Sequence, residues 1–180
     1  MNRIKRTWTQ LSGSAKAVLA LILIIYVALP IILAAMHLHM NYTDSVPVGL
    51  YREVRGPAEY AALCVPESVL QHAMRAGLEI TPGDCPGGVA PILKPVFRAS
   101  VDRSILYGEA GFVIAGKLLS NTAPKRRSRT GAPLAHYSFG EYRNGLWAIS
   151  GYNPDSFDSR YFGPVDVRAI RFYAKPVWTK

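Results

Sequence analysis

Residues Ala17 to Met36 (AVLALILIIYVALPIILAAM) are twenty consecutive positions without a charged side chain. As a helix rising about 1.5 Å per residue, such a run spans the roughly 30 Å hydrocarbon core of a bilayer. Arg3, Lys5, Arg6 and Lys16 precede it and no acidic residue does, so the positive-inside rule predicts a cytoplasmic N-terminus. A cleavable signal peptide is the competing reading. The run is longer than a usual apolar signal core, however, and no small-x-small cleavage site sits cleanly before Ser45. Pro30 is expected to kink the helix without preventing insertion. The expectation is a cytoplasmic tail over 1–15, a retained single-pass anchor over 16–40, and an extracytoplasmic domain over 41–180.

That domain has about 140 residues, enough for a hydrophobic core of its own. Ten Tyr, six Phe, three Trp and many Val and Ile favour strands, and thirteen Pro with fifteen Gly punctuate them. A mainly β domain with many turns, rather than a helical bundle, follows. The net charge of +9 raises nucleic acid as a partner, but no RNP, helix-turn-helix or zinc-finger pattern accompanies it. Part of the charge precedes the anchor, and part lies in the cluster Lys125-Arg126-Arg127-Ser128-Arg129. A basic surface facing the anionic headgroups of a lipid bilayer accounts for it more simply.

Strands are expected from Leu50 to Val54, Val89 to Ser100 and Val165 to Val177. Hairpins are expected over Gly111–Gly116 with the following Lys-Leu-Leu, and over Tyr137–Ser150 around Arg143-Asn144-Gly145. Residues 120–133 read as an exposed loop, and 81–88 as a loop dense in breakers without the residues of a phosphate-binding loop. Pro66 to Leu78 carries apolar residues at helical spacing, with Pro at its start and Gly77 near its end. The two cysteines, Cys64 and Cys85, flank this helix. Outside the cytoplasm they can form a disulfide, which would make 60–88 a stapled helical insert; two free thiols are the alternative. No metal-ligand spacing involves them, and His37 and His39 read as interfacial residues with no third ligand near in sequence. No metal or other cofactor is expected.

Two places carry candidate chemistry. In Asn41-Tyr42-Thr43-Asp44-Ser45-Val46-Pro47-Val48-Gly49-Leu50-Tyr51, a serine precedes a stiff Pro/Gly turn just beyond the anchor. By itself this is as consistent with an ordinary juxtamembrane turn. Lys94 lies among Ile92, Leu93, Val96 and Phe97. If buried, its amine is driven toward the neutral form and can deprotonate a serine; if it points outward from an edge strand it has no such role. A third segment, Gly151 to Val165, is too polar for a simple strand; on composition alone it is a polar turn, with Asp158 and Arg160 able to pair.

The run Ser156-Phe157-Asp158-Ser159-Arg160-Tyr161-Phe162-Gly163 closely resembles the last signature of the type I signal peptidases, the S26 serine–lysine proteases. The resemblance extends to the order of three stations: a nucleophile motif at Ser45-Val46-Pro47 directly after an anchor, a lysine in an apolar strand, and this signature. The form Ser45-Val46-Pro47-Val48-Gly49-Leu50-Tyr51 is similar to the TraF branch, conjugative-transfer peptidases that mature a pilin subunit. The resemblance implies a bacterial inner-membrane protein with a periplasmic catalytic domain of coiled antiparallel sheets. It implies Ser45 as nucleophile and Lys94 as general base and later acid. Thr43 would join the backbone N–H of Ser45 in the oxyanion hole. Ser156 would orient Lys94, and Asp158 and Arg160 would brace the loop; an assisting role for Asp155 in resolving an acyl-enzyme is a further conjecture. The substrate would be a pre-pilin or preprotein, with other pilus assembly components as partners.

The chain departs from the general pattern of that family. Val46 replaces the usual Met, Val48-Gly49 the usual Thr-Leu, Gly151-Tyr152-Asn153 the usual Gly-Asp-Asn, and Pro95 the usual Arg after the base. The Pro-Gly-Asp stretch that usually follows is lost, leaving Ala99-Ser100-Val101-Asp102. These changes favour a dedicated relative over a general secretory peptidase. A non-enzymatic membrane-bound assembly factor is the reading from a different class.

Overall fold

The computed structural model describes residues 12–75, 77 and 81–180. The chain divides into two compact units, Met1–His39 and Met40–Lys180. In the first, α1 (Gly13–Ala35) is one helix capped by Ser12, whose hydroxyl accepts the Ala15 N–H at 3.2 Å. It runs unbroken through Pro30, and it is long and apolar enough to cross a membrane. Arg3, Lys5 and Arg6, on which the predicted orientation rests, lie outside the described residues.

The chain continues through β1 (Leu38–Asn41), β2 (Gly49–Val54), β3 (Tyr60–Leu63), α2 (Glu67–Arg75), β4 (Pro82–Cys85), β5 (Ile92–Arg98) and β6 (Ile105–Gly108). It then forms β7 (Gly111–Ile114), β8 (Lys117–Leu118), β9 (Gly140–Tyr142), β10 (Leu146–Ala148), α3 (Ser159–Phe162), a single 3-10 turn (Val167–Ala169) and β11 (Ile170–Thr179). A six-stranded sheet has the order β1-β2-β11-β3-β5-β10, and a four-stranded sheet the order β8-β7-β6-β9. The fold is mainly β, as the composition predicts, and the strand pairings of the second unit are antiparallel.

Two local expectations are corrected. The Asn144-Gly145 turn does not close a hairpin: β9 pairs with β6 and β10 with β5, in different sheets. The reason is burial. All three residues of β10 are buried, so the strand needs cover on both faces. Trp147 packs with Ile105, Tyr107 and Phe112 of the small sheet, whereas Ala148 packs with Leu63, Phe157 and Phe162. The strand therefore stitches the two layers together, which pairing with β9 would not achieve. The second correction concerns the insert. Tyr60–Leu63 is not part of it but a fully buried strand between β11 and β5. Residues 82–85 are likewise not loop: they fold back as β4, with Pro82 and Cys85 bridging to Val89.

What remains of the insert is α2 and the β4 arm. Cys64 and Cys85 are joined by a disulfide and bury Leu70 and Val89 around it. On its other side α2 sends Ala73 and Val69 into the core cluster of Leu63, Val65 and Phe157. Closing a loop of this length stabilises by about 3 kcal/mol through the entropy of the unfolded chain. Alkylating reagent should therefore leave both cysteines of the native protein unlabelled until a reductant is added. Mass spectrometry reads this directly, and prompt labelling without reductant would contradict the pairing.

Candidate functional site

Lys94 stands in the middle of β5, opposite Ala61 of β3, in a strand flanked on both sides by others. The neighbouring strands leave it no exposed edge, and the side chain itself is only 3 % exposed. Burial is the main influence on its amine, bringing the pKa down from 10.5 to about 8; Asp158 pulls it back up, Arg160 pushes it further down, and Asp44 raises it. The lysine Nζ donates to Ser156 Oγ at 2.6 Å, and Ser156 Oγ donates to Ser45 Oγ at 3.4 Å. A serine hydroxyl, a second serine hydroxyl and an amine thus form one hydrogen-bonded run across segments 111 residues apart in sequence.

The two serines are held by different means. Ser45 is half-buried on the turn between β1 and β2, and the next residue, Val46, is fully buried against Tyr51, Tyr60 and Ala174. Gly49 closes that turn with φ +152°, where a Cβ would stand 2.1 Å from the carbonyl oxygen of Trp178. No other residue fits so close a crossing with β11. Asn41, a residue to which the sequence reading assigned no role, brackets the turn from inside. Its Nδ2 donates to the carbonyls of Thr43 (2.6 Å), Val46 (3.2 Å) and Pro47 (3.3 Å). Its Oδ1 accepts the Thr43 N–H (3.3 Å) and the Thr43 hydroxyl (2.9 Å). Tyr51 donates its own hydroxyl to Pro47 O at 2.7 Å. Thr43 is exposed and its hydroxyl is directed to Asn41, so an oxyanion role requires that hydroxyl to turn away from its resting partner.

Ser156 belongs to a loop that is anything but a solvated turn. Ser150, Ser156, Asp158, Ser159 and Arg160 are all buried. Asp158 and Arg160 form a two-pronged ion pair, Nε to Oδ1 at 2.9 Å and Nη2 to Oδ2 at 3.0 Å, with both side chains wholly excluded from water. The remaining guanidinium protons go to the carbonyls of Ser156 (2.7 Å), Asn121 (2.9 Å), Pro154 (3.0 Å) and Asn153 (3.4 Å). Asp158 also caps α3 by accepting Arg160 N–H, and it accepts Ser150 N–H at 2.9 Å. Ser159 Oγ accepts the Ala148 N–H at 2.8 Å, tying the loop to β10. Phe157 and Phe162 pack into the core cluster with Leu63 and Ala148, while Ser156 meets Lys94.

Ser150 is a second residue without an assigned role in the sequence. Its hydroxyl donates to the Ser45 carbonyl at 2.5 Å while its N–H meets Asp158. It thereby couples the turn of Ser45 to the ion pair. Asp155 is placed apart from this group. It is exposed and ion-paired with Lys125, the first residue of the basic cluster.

Fold and site together define a mainly β protein that carries an N-terminal helix apolar enough for a membrane and a buried lysine linked to two serines. Among known proteins it is similar to a plasmid transfer protein TraF of Escherichia coli, 34 % identical over 147 residues that make up 78 % of this chain and 82 % of the relative. A second Escherichia coli plasmid transfer protein TraF is 35 % identical over the same shares. The conjugal transfer protein TraF of Agrobacterium fabrum is 30 % identical over 78 % of this chain and 81 % of its own length. The chain belongs to the TraF family of plasmid and conjugal transfer proteins. No family model matches it, and no solved structure does.

Proposed function

We propose that the chain is a membrane-anchored serine endopeptidase of conjugative transfer, with Ser45 as nucleophile and Lys94 as general base. The observation that carries this reading is the hydrogen-bonded run from the buried Lys94 amine through Ser156 to Ser45. With the amine neutral, the hydroxyl protons turn round: Ser45 donates to Ser156 and Ser156 to Lys94. Ser45 Oγ attacks the scissile carbonyl as its proton passes to Lys94. The resulting ammonium then gives the proton to the departing amine, leaving an ester on Ser45. The backbone N–H of Ser45 and the Thr43 hydroxyl stabilise the intermediate oxyanion. Water resolves the ester to a linear product, whereas the substrate's own N-terminal amine would resolve it to a cyclic one.

Relatives named for plasmid and conjugal transfer support a role in that process, and the resemblance to peptidases of conjugative transfer makes the precursor of a pilus subunit the proposed substrate. The apolar α1 supports anchorage in the bacterial inner membrane with the sheet domain in the periplasm, where the Cys64–Cys85 disulfide is at home. The test is intact-mass analysis of a pre-pilin incubated with detergent-solubilised protein and with Ser45→Ala. Cleavage by the unmodified protein alone is expected. A product lighter than the linear mature peptide by one water identifies cyclisation. Cleavage of many unrelated preproteins would instead mark a general signal peptidase. Equal processing by both proteins, or none by either, would point to a non-enzymatic assembly factor.

A further inference from the structure

We infer that Asn41 is a positioning residue of this reaction, one amide whose side chain fixes the backbone of the Ser45 turn. The inference rests on the endopeptidase reading and adds to it a residue outside the serine–lysine machinery.

Asn41 is 8 % exposed at the end of β1, and an amide in that position has two donors and one acceptor oxygen to satisfy. Its donors converge on three carbonyls, those of Thr43, Val46 and Pro47, which enclose Ser45 from both sides in sequence. Its oxygen takes the N–H and the hydroxyl of Thr43. A turn of the form Asn41 to Pro47 has no strand ladder to hold it, so its carbonyls need partners from a side chain or from water. Asn41 supplies them from inside and leaves the outer face of the turn to substrate.

Ser45 is also reached from the opposite side, where Ser150 donates to its carbonyl. The nucleophile is thus held between two side chains, one ahead of it in sequence and one far beyond, and neither touches Lys94 in the hydrogen-bonded run. Displacement of a reacting group by about 1 Å can lower a rate about 100-fold. Loss of the Asn41 bracket should therefore appear in the chemical step.

The experiment compares the full-length protein in detergent with Asn41→Asp and Asn41→Ala, using a pre-pilin for cleavage and a fluorophosphonate for labelling of Ser45. In Asn41→Asp the size is kept but the donor face becomes an acceptor facing three carbonyls. In Asn41→Ala the whole bracket is removed without introducing a charge, which keeps the test alive should the aspartate variant not fold. Both are expected to lower kcat and the labelling rate about 100-fold with KM changed less than threefold, and Asn41→Ala, which adds no charge, should leave the midpoint of the pH profile unmoved. A merely structural role would instead lower thermal stability while leaving kcat per folded molecule intact. That result, or a loss confined to KM, overturns the inference while leaving the endopeptidase reading standing. An unmodified protein that neither cleaves nor labels at Ser45 overturns both.

Discussion

Replacing Lys94 by arginine should reduce kcat by about 100- to 10,000-fold, the usual contribution of a positioned general base. Guanidinium keeps the charge yet stays protonated at any pH the protein survives, so it cannot accept the Ser45 proton. The same chemistry sets the pH profile. The amine must be neutral to act, and burial brings its pKa to about 8. Below that value kcat/KM should rise about tenfold per pH unit, and above it the rate should level off. Stability moves with pH for a related reason. Because the folded pKa lies below the unfolded value of 10.5, the unfolded chain binds more protons between pH 8 and 10.5. Stability therefore rises with pH through that window, and below about 8 the native state carries the full cost of the buried ammonium. Lys94→Met removes the charge at similar length. It should abolish cleavage yet stabilise the fold at pH 7 by on the order of 1–3 kcal/mol, measured as a higher urea midpoint. Cleavage at an undiminished rate in either variant, or a flat profile between pH 6 and 9, would remove Lys94 from the mechanism.

Lys94 was legible in the sequence because a charged residue among Ile92, Leu93, Val96 and Phe97 contradicts the local hydrophobic pattern, and such contradictions concentrate at functional sites. The 156–163 run was legible as a motif, but its burial was not. A polar segment bounded by Pro154 and Pro164 reads as solvated surface unless its internal ion pair is known to consume the donors and acceptors. Asn41 and Ser150 were illegible for a different reason. Their partners are mainly backbone carbonyls and N–H groups, which every residue has. Ser150 meets Ser45 across 105 residues, so neither spacing nor composition marks the contact. The misjudged hairpin at Arg143-Asn144-Gly145 has the opposite cause. The local turn signal was strong, but it was outweighed by the need of Leu146, Trp147 and Ala148 for cover on both faces. The fold class, by contrast, needed only the supply of β-branched and aromatic residues. The apolar run of Ala17–Met36 was visible because hydrophobic length needs no tertiary information.

Arg160→Ala should be the most destabilising single change in the sheet domain. The guanidinium is fully buried and bonded to Asp158 and to the carbonyls of Asn121, Asn153, Pro154 and Ser156. Removing it leaves the Asp158 carboxylate charged in a dry interior, a change that typically costs about 3–5 kcal/mol. For a domain of this size that lowers the melting temperature by on the order of 10 °C. Arg160→Lys is not a gentle substitute, since one ammonium cannot reproduce a planar two-pronged contact and serve several carbonyls as well. If the penalty comes from the orphaned charge, then pairing Arg160→Leu with Asp158→Leu should recover part of the stability lost in Arg160→Leu alone. It should not recover cleavage. Asp158 also receives the N–H of Ser150, whose hydroxyl holds the Ser45 carbonyl, and Arg160 holds the backbone of Ser156. Both serines of the site thus depend on a pair that touches neither hydroxyl. A double variant that regains stability and full activity together would show that the pair is packing alone; one that regains stability without activity would place the ion pair in the positioning of Ser45 and Ser156.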